Sequence, residues 1–255
     1  MMDTLSTIQG YPLRQRRFKI SVDLLALLVV ITVAAAIASN GWTILSCLDR
    51  LDRTLMVLLN FTGSARTDHF WYRFSTLGVW LPLAAVVVCD CMKDAPAGVR
   101  NKLFFLVAVA LLITVLDQTT SGIIKPLVGR LRPSHDPYIS GMLHYVNGYK
   151  GGRYGFVSSH AANVTGLTTW LFLTYRNKLT RAVLVIFTLM MCYSRIYLGV
   201  HYPGDVLCGA LLGFVTAAAT HRLLGRPLRL YVSDAVHYNI PIVFAATITV
   251  ILITA

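Results

Sequence analysis

The sequence predicts an all-α integral membrane protein, a bundle of six transmembrane helices with an additional C-terminal apolar segment at about 236–255. Three observations carry this. Of the 255 residues, 56% are hydrophobic and 13% are charged, with a mean hydropathy of +0.63, whereas soluble domains carry about 25% charged residues. The apolar residues gather in runs near the length that crosses ~30 Å of hydrocarbon. Basic clusters fall in alternate connections between those runs, as the positive-inside rule requires. Nothing marks a linker or a repeat, so residues 1–255 read as a single domain.

Taken in order, the first run, 20–39, follows the basic stretch RQRRFK and ends in AAAIASN. That ending resembles a signal-peptide cleavage site, but the run is long for a signal core, and an uncleaved first helix is expected. Further runs cover 76–92, 103–124, 161–175, 182–200 and 205–220, and a seventh, 240–255, is short for a full span. Arg14, Arg16, Arg17 and Lys19 precede the first run, and Lys93, Arg100 and Lys102 separate the second from the third. Arg176, Lys178 and Arg181 follow the fourth, and Arg222, Arg226 and Arg229 follow the sixth. These segments place the N-terminus in the cytoplasm and the connections 40–75 and 125–160 on the exterior face. Asp23 and Asp90 fall near cytoplasmic ends, where solvent is expected.

The two exterior connections differ in charge. In 40–75, four Arg are offset by three Asp, whereas in 125–160 Lys125, Arg130, Arg132, Lys150 and Arg153 face only Asp136. A bound anion would account for the second imbalance. The net charge of +12 otherwise belongs to membrane topology and does not imply a nucleic-acid partner. All 11 acidic residues are Asp, which excludes HExxH zinc-protease helices and any glutamate base. Cys89, Cys91, Cys192 and Cys208 lie in or beside apolar runs and read as small buried residues, while Cys47 falls in an exterior loop; no disulfide framework is indicated.

Three clusters carry chemistry. In KPLVGRLRP, residues 125–133, Lys125 and Arg132 supply a mobile ammonium and a planar fork suited to phosphate oxygens. The alternative is a basic loop that touches anionic lipid headgroups. In GFVSSHAAN, residues 155–163, Ser158 or Ser159 can cap the helix that follows, whose N-terminal amides suit an anion, and His160 can donate a proton. In SRIYLGVHYPGD, residues 194–205, Arg195 ends one apolar run, and the four-residue spacing of His201 and Asp205 permits an Nδ1–H to carboxylate bond that leaves Nε2 as nucleophile or base. All three clusters fall on the same exterior side, which makes a phosphoryl-transfer set without metal or cofactor. Asp117, Gln118, Thr119 and Thr120 either bond neighbouring helices, the favoured reading, or line an entry. Arg130 and His135 lie within and beside the first cluster without an assigned role, Arg130 reading as a surface cation or a contact for a second phosphate.

These clusters resemble the type 2 phosphatidic acid phosphatase (PAP2) superfamily, in its bacterial integral-membrane lipid phosphatase branch. The family signature is K-x6-R-P, then P-S-G-H, then S-R-x5-H-x3-D. The first and third match in full; in the second, VSSH, Val157 replaces Pro and Ser159 replaces Gly. The resemblance implies that His201 attacks phosphorus, Asp205 orients it and His160 protonates the leaving oxygen. It implies that Lys125, Arg132 and Arg195 hold the phosphate with Ser158 and backbone amides, while Ser159 offers a hydroxyl where the family has the closer approach of Gly. The implied substrate is a membrane lipid phosphate or diphosphate in the bilayer: undecaprenyl diphosphate, phosphatidylglycerophosphate, phosphatidic acid or a lipid A phosphate. A lipid phosphotransferase using the same intermediate, and a non-enzymatic anion or lipid transporter, remain the alternatives.

Overall fold

The computed structural model describes residues 45–94, 99–228 and 238–255. The apolar run at 20–39 and the basic N-terminal stretch therefore lie outside the described residues. Among the described residues the fold is helical, with a single antiparallel bridge between Leu131 and Tyr154 and no strand. Helix α1 covers 45–59, inside the connection that the sequence assigns to a loop. It is followed by α2 (Ala65–Phe74), α3 (Leu81–Asp94) and α4 (Val99–Asp117). A π-helical stretch, Gln118–Ile124, leads from α4 into the short α5 (Lys125–Val128), and then come α6 (Ser159–Thr174), α7 (Lys178–Tyr197), α8 (Pro203–Leu228) and α9 (Asn239–Ile253).

Three of these segments are long and apolar enough to cross a membrane: Lys102–Val128, Lys178–Tyr197 and Pro203–Leu224. They correspond to the third, fifth and sixth apolar runs. The second run falls in Leu77–Asp90, which meets Ala65–Phe74, from the preceding connection, at a 69° bend and counts as a fourth span only if taken together with it. Trp80 fixes that bend by donating its indole N–H to the Phe74 carbonyl at 2.7 Å. The fourth run forms α6, whose 16 residues rise about 24 Å and fall short of a full span. The expected count of six is thus not reached among the described residues.

The span helices are apolar on both sides, as elements packed in lipid should be. On α4, Phe105, Ala108, Leu112 and Leu116 are buried, whereas Leu103, Val107, Leu111 and Val115 lie on the opposite face at 52–58% exposure. The inward side joins one core with Phe74, Trp80, Trp170, Phe187, Met191 and Ile240. α9 closes this core through Phe244, which stacks on Trp80 with ring centroids 5.8 Å apart. Asp90 is not solvated as expected but 1% exposed, and Asn239 at the head of α9 donates to it at 3.2 Å. Cys89 and Cys208 are likewise exposed rather than buried, and Cys192 is only partly buried. Apolar side chains can face lipid at no cost, so an apolar run does not dictate burial inside the protein.

α6 and α8 approach most closely. A Cβ on Gly213 would lie 2.2 Å from the Ala162 carbonyl oxygen, and one on Gly209 would lie 2.5 Å from that of Ser158. Both obstacles are backbone, so neither can rotate away. Gly213→Ala should therefore force the helices apart and cost about 1–3 kcal/mol. Gly78→Ala, where a Cβ meets nothing within 4 Å, should leave stability unchanged. Thermal unfolding of the two variants in detergent compares them directly.

Candidate active site

The site forms where α5, the connection 129–158, the start of α6, the end of α7 and the turn into α8 come together. α5 ends at Gly129, whose φ of 64° puts it in the left-handed region, and Arg132 is extended. Lys125 and Arg132 are therefore not two turns apart on one helix. The connection instead folds back, with Arg132 N–H donating to the Arg153 carbonyl at 3.0 Å and Gly155 N–H donating to the Arg130 carbonyl at 2.9 Å. Arg132 further donates from Nε to the Tyr154 carbonyl at 3.1 Å. Asn60, 4% exposed, ties this loop to the end of α7, donating to the carbonyls of His144 and Tyr197 and accepting from His144 N–H.

Ser158 caps α6, its hydroxyl accepting from Ala161 N–H, while its own N–H donates to the Asp205 carbonyl at 3.0 Å. Ser159 anchors Lys125: the ammonium donates to its Oγ at 2.7 Å, and Thr120 and Ser121 each lie 2.9 Å from the same atom. The polar residues at the end of α4 thus bond α6, as favoured from sequence, and Asn163 on α6 also reaches Asp117 at 3.3 Å. The hydroxyl at position 159, where the family motif has Gly, has a definite task here. It holds the Lys125 head.

Arg195 is 3% exposed and donates to Ser75 Oγ, at the break between α2 and α3. His201 is 1% exposed, in the turn before α8. His160, the second residue of α6, is half-buried and interacts electrostatically with His201, Arg195, Lys125 and Arg132. Burial first, then the charges of Arg132, Arg195 and Lys125, hold the His201 imidazole well below the ordinary histidine range, so it is neutral at neutral pH. Burial and the nearby Arg195 also lower Arg132. Among the described residues, Arg195 Nε and His201 Nδ1 are buried without a hydrogen-bond partner. The result is a concentration of positive charge around a neutral imidazole, a setting made for an anion with several oxygens.

Two expectations change. The His201–Asp205 hydrogen bond is not made, since Nδ1 lies 3.6 Å from Oδ2, beyond hydrogen-bonding range. α8 begins at Pro203, so the two residues do not share a helical face. Arg130 is not a surface cation. Its guanidinium pairs with Asp205 at 2.8 Å, Asp52 at 2.9 Å and Asp49 at 3.1 Å and packs over the Tyr202 ring. Burial works against that charge, but Asp205 and Asp52 outweigh it and leave the Arg130 pKa raised. Asp49, Asp52, Ser75 and Asn60 were not singled out from sequence. The only available signal was the i, i+3 spacing of Asp49 and Asp52 on what proves to be a helix. The His135 ring meets the hydroxyl of its neighbour Ser134 at 3.0 Å, and its backbone N–H donates to the Arg132 carbonyl.

The role of Ser159 gives a direct expectation. Ser159→Ala removes a hydrogen bond to a charged group worth about 1.5 kcal/mol, so inhibition by vanadate should weaken about tenfold. An unchanged inhibition constant would show that Lys125 is held in some other way.

Comparison with known proteins gives the family. A profile of the PAP2 superfamily matches residues 103–229. A lipid A 4'-phosphatase of Bacteroides thetaiotaomicron is 37% identical over 167 residues, covering 65% of this chain and 73% of the relative. A second lipid A 4'-phosphatase, from Porphyromonas gingivalis, is 30% identical over 173 residues, covering 68% and 72%. An undecaprenyl-diphosphatase of Sulfolobus acidocaldarius is 27% identical over 162 residues, covering 62% and 71%. The crystal structure of a transmembrane PAP2-type phosphatidylglycerolphosphate phosphatase from Bacillus subtilis superposes with a TM-score of 0.56 at 18% identity, covering 80% of this chain and 96% of that one. That likeness concerns the fold. The chain belongs to the PAP2 superfamily and is a phosphatase of that type.

Proposed function

We propose that the protein removes a phosphate from a membrane lipid through a phosphohistidine at His201, and that the lipid is a lipid A phosphate. The observation that carries the chemistry is the setting of Lys125, Arg132, Arg195 and His160 around the buried, neutral His201. The two relatives at 37% and 30% identity support the substrate. The undecaprenyl-diphosphatase relative makes a polyprenyl diphosphate the second candidate.

In the first step, Nε2 of His201 attacks phosphorus while Lys125, Arg132 and Arg195 take the charge on its three non-bridging oxygens. The bond from phosphorus to the lipid oxygen breaks as the P–N bond forms. His160, whose pKa is lowered to about 3 by burial and by Arg195 without substrate, takes up a proton as the phosphate anion binds and passes it to the departing oxygen. In the second step, water attacks phosphorus and gives a proton to His160, the P–N bond breaks, and free phosphate leaves a neutral His201. Three cations and a positioned acid supply the stabilisation, so the reaction needs no metal. Ser158 contributes by fixing the start of α6, whose amides face the anion.

The bilayer arrangement belongs to the same proposal. The bent α2–α3 unit, α4 with α5, α6, α7 and α8 make up five membrane elements among the described residues. The basic segments put the N-terminus in the cytoplasm and the site on the periplasmic face of the inner membrane.

The test is phosphate release by the purified protein in detergent with EDTA, offered lipid A, undecaprenyl diphosphate, phosphatidylglycerophosphate and phosphatidic acid in parallel. Lipid A should be turned over fastest, and His201→Ala should lose release by about 10⁴-fold or more. Full release by His201→Ala would remove the phosphohistidine. Preference for another lipid would remove the substrate assignment alone.

A further inference from the structure

We infer that Arg130 is a positioning residue for the reaction, acting on His201 through Asp205. The inference rests on the phosphohistidine reading above and goes beyond it, because it adds a residue outside the three matched motifs.

Asp205 is fully buried at the head of α8. A carboxylate there needs a countercharge, and without one a buried ion is costly. Arg130 supplies it by donating from NH1 to Oδ1 at 2.8 Å. The other oxygen, Oδ2, accepts from Tyr202 N–H at 3.2 Å and lies 3.6 Å from His201 Nδ1. Holding Oδ1 fixes the rotation of the carboxylate, and that rotation sets how Oδ2 faces the imidazole. The cations of the phosphate clamp are then left for substrate, because Asp205 is already paired.

Arg130 is itself held on every side. Asp49 and Asp52, one turn apart on α1, take its guanidinium, and its carbonyl accepts from Gly155 N–H. Its guanidinium carbon lies 4.1 Å from the centre of the Tyr202 ring. Asp52 also accepts from Gly204 N–H at 2.7 Å, so one carboxylate braces both Arg130 and the first turn of α8. Tyr202 is pinned in turn, donating its hydroxyl to Asp136, which also takes Arg53. These contacts brace Arg130 against Asp205. None of them belongs to the phosphate clamp.

The test is a double-mutant cycle with phosphate release as the readout. Arg130→Gln should lower kcat by about 10-fold or more with KM within about threefold, since substrate binding is left to other residues. Arg130→Lys, which keeps a charge for Asp205, should recover a large part of that loss. In an Asp205→Asn background, Arg130→Gln should add little, because the carboxylate it positions is gone. Arg130→Gln with kcat within about twofold of the parent, or a loss that multiplies with that of Asp205→Asn, overturns the proposal. If Arg130→Gln does not fold, the cycle built on Arg130→Lys decides by the same criterion. Activity surviving in His201→Ala would overturn the phosphohistidine reading itself; an inactive His201→Ala beside an additive Arg130 variant would overturn only the role of Arg130.

Discussion

Buried charge organises this protein. Asp205 has no contact with solvent, and the structure around it is shaped by the need to compensate that one carboxylate. Arg130 approaches from the connection after α5, α1 brings Asp49 and Asp52 to hold Arg130, and Asp52 reaches on to the first turn of α8. On the other side of His201 the balance reverses. Lys125, Arg132 and Arg195 gather there without a carboxylate ion pair among the described residues, and burial together with their charge holds the imidazole neutral. One face of His201 is thus compensated within the protein, and the other is left electropositive.

Packing supports the same arrangement. The close contact of α6 and α8 at Gly209 and Gly213 brings the Ser158 cap against the start of α8, where Ser158 N–H meets the Asp205 carbonyl. The aromatic core around Phe74, Trp80 and Phe187 sets the bend between α2 and α3, and that bend delivers Ser75 to Arg195. The hydrophobic framework and the polar site share their anchoring residues, so loss of packing at α6–α8 would be felt in catalysis as well as in stability.

The sequence made the membrane character, three of the spans and the three motif clusters readable, because each depends on local spacing or on the cost of charge in lipid. It was less informative wherever the fold depended on distant partners. The Arg130 carboxylates lie about 80 residues earlier in a segment that read only as a charge-balanced loop, and nothing local announced helix α1. The i, i+4 spacing of His201 and Asp205 suggested a hydrogen bond, but Pro203 starts the helix between them and the bond is not formed. Ser159 looked like a departure from the family motif, and only the approach of Lys125 from another helix showed what the hydroxyl does. The buried Asp90 likewise accepts from a distant residue, Asn239 near the far end of the chain.

The central claim is that His201 is the nucleophile at phosphorus within a clamp of three cations. A structure of the protein with vanadate, which adopts the five-coordinate geometry of phosphorus in transfer, tests it most directly. The account predicts vanadium bonded to Nε2 of His201, with its oxygens contacted by Lys125, Arg132 and Arg195 and with His160 at the apical oxygen. Vanadate bound elsewhere, or held by the cations with no bond to His201, would contradict it.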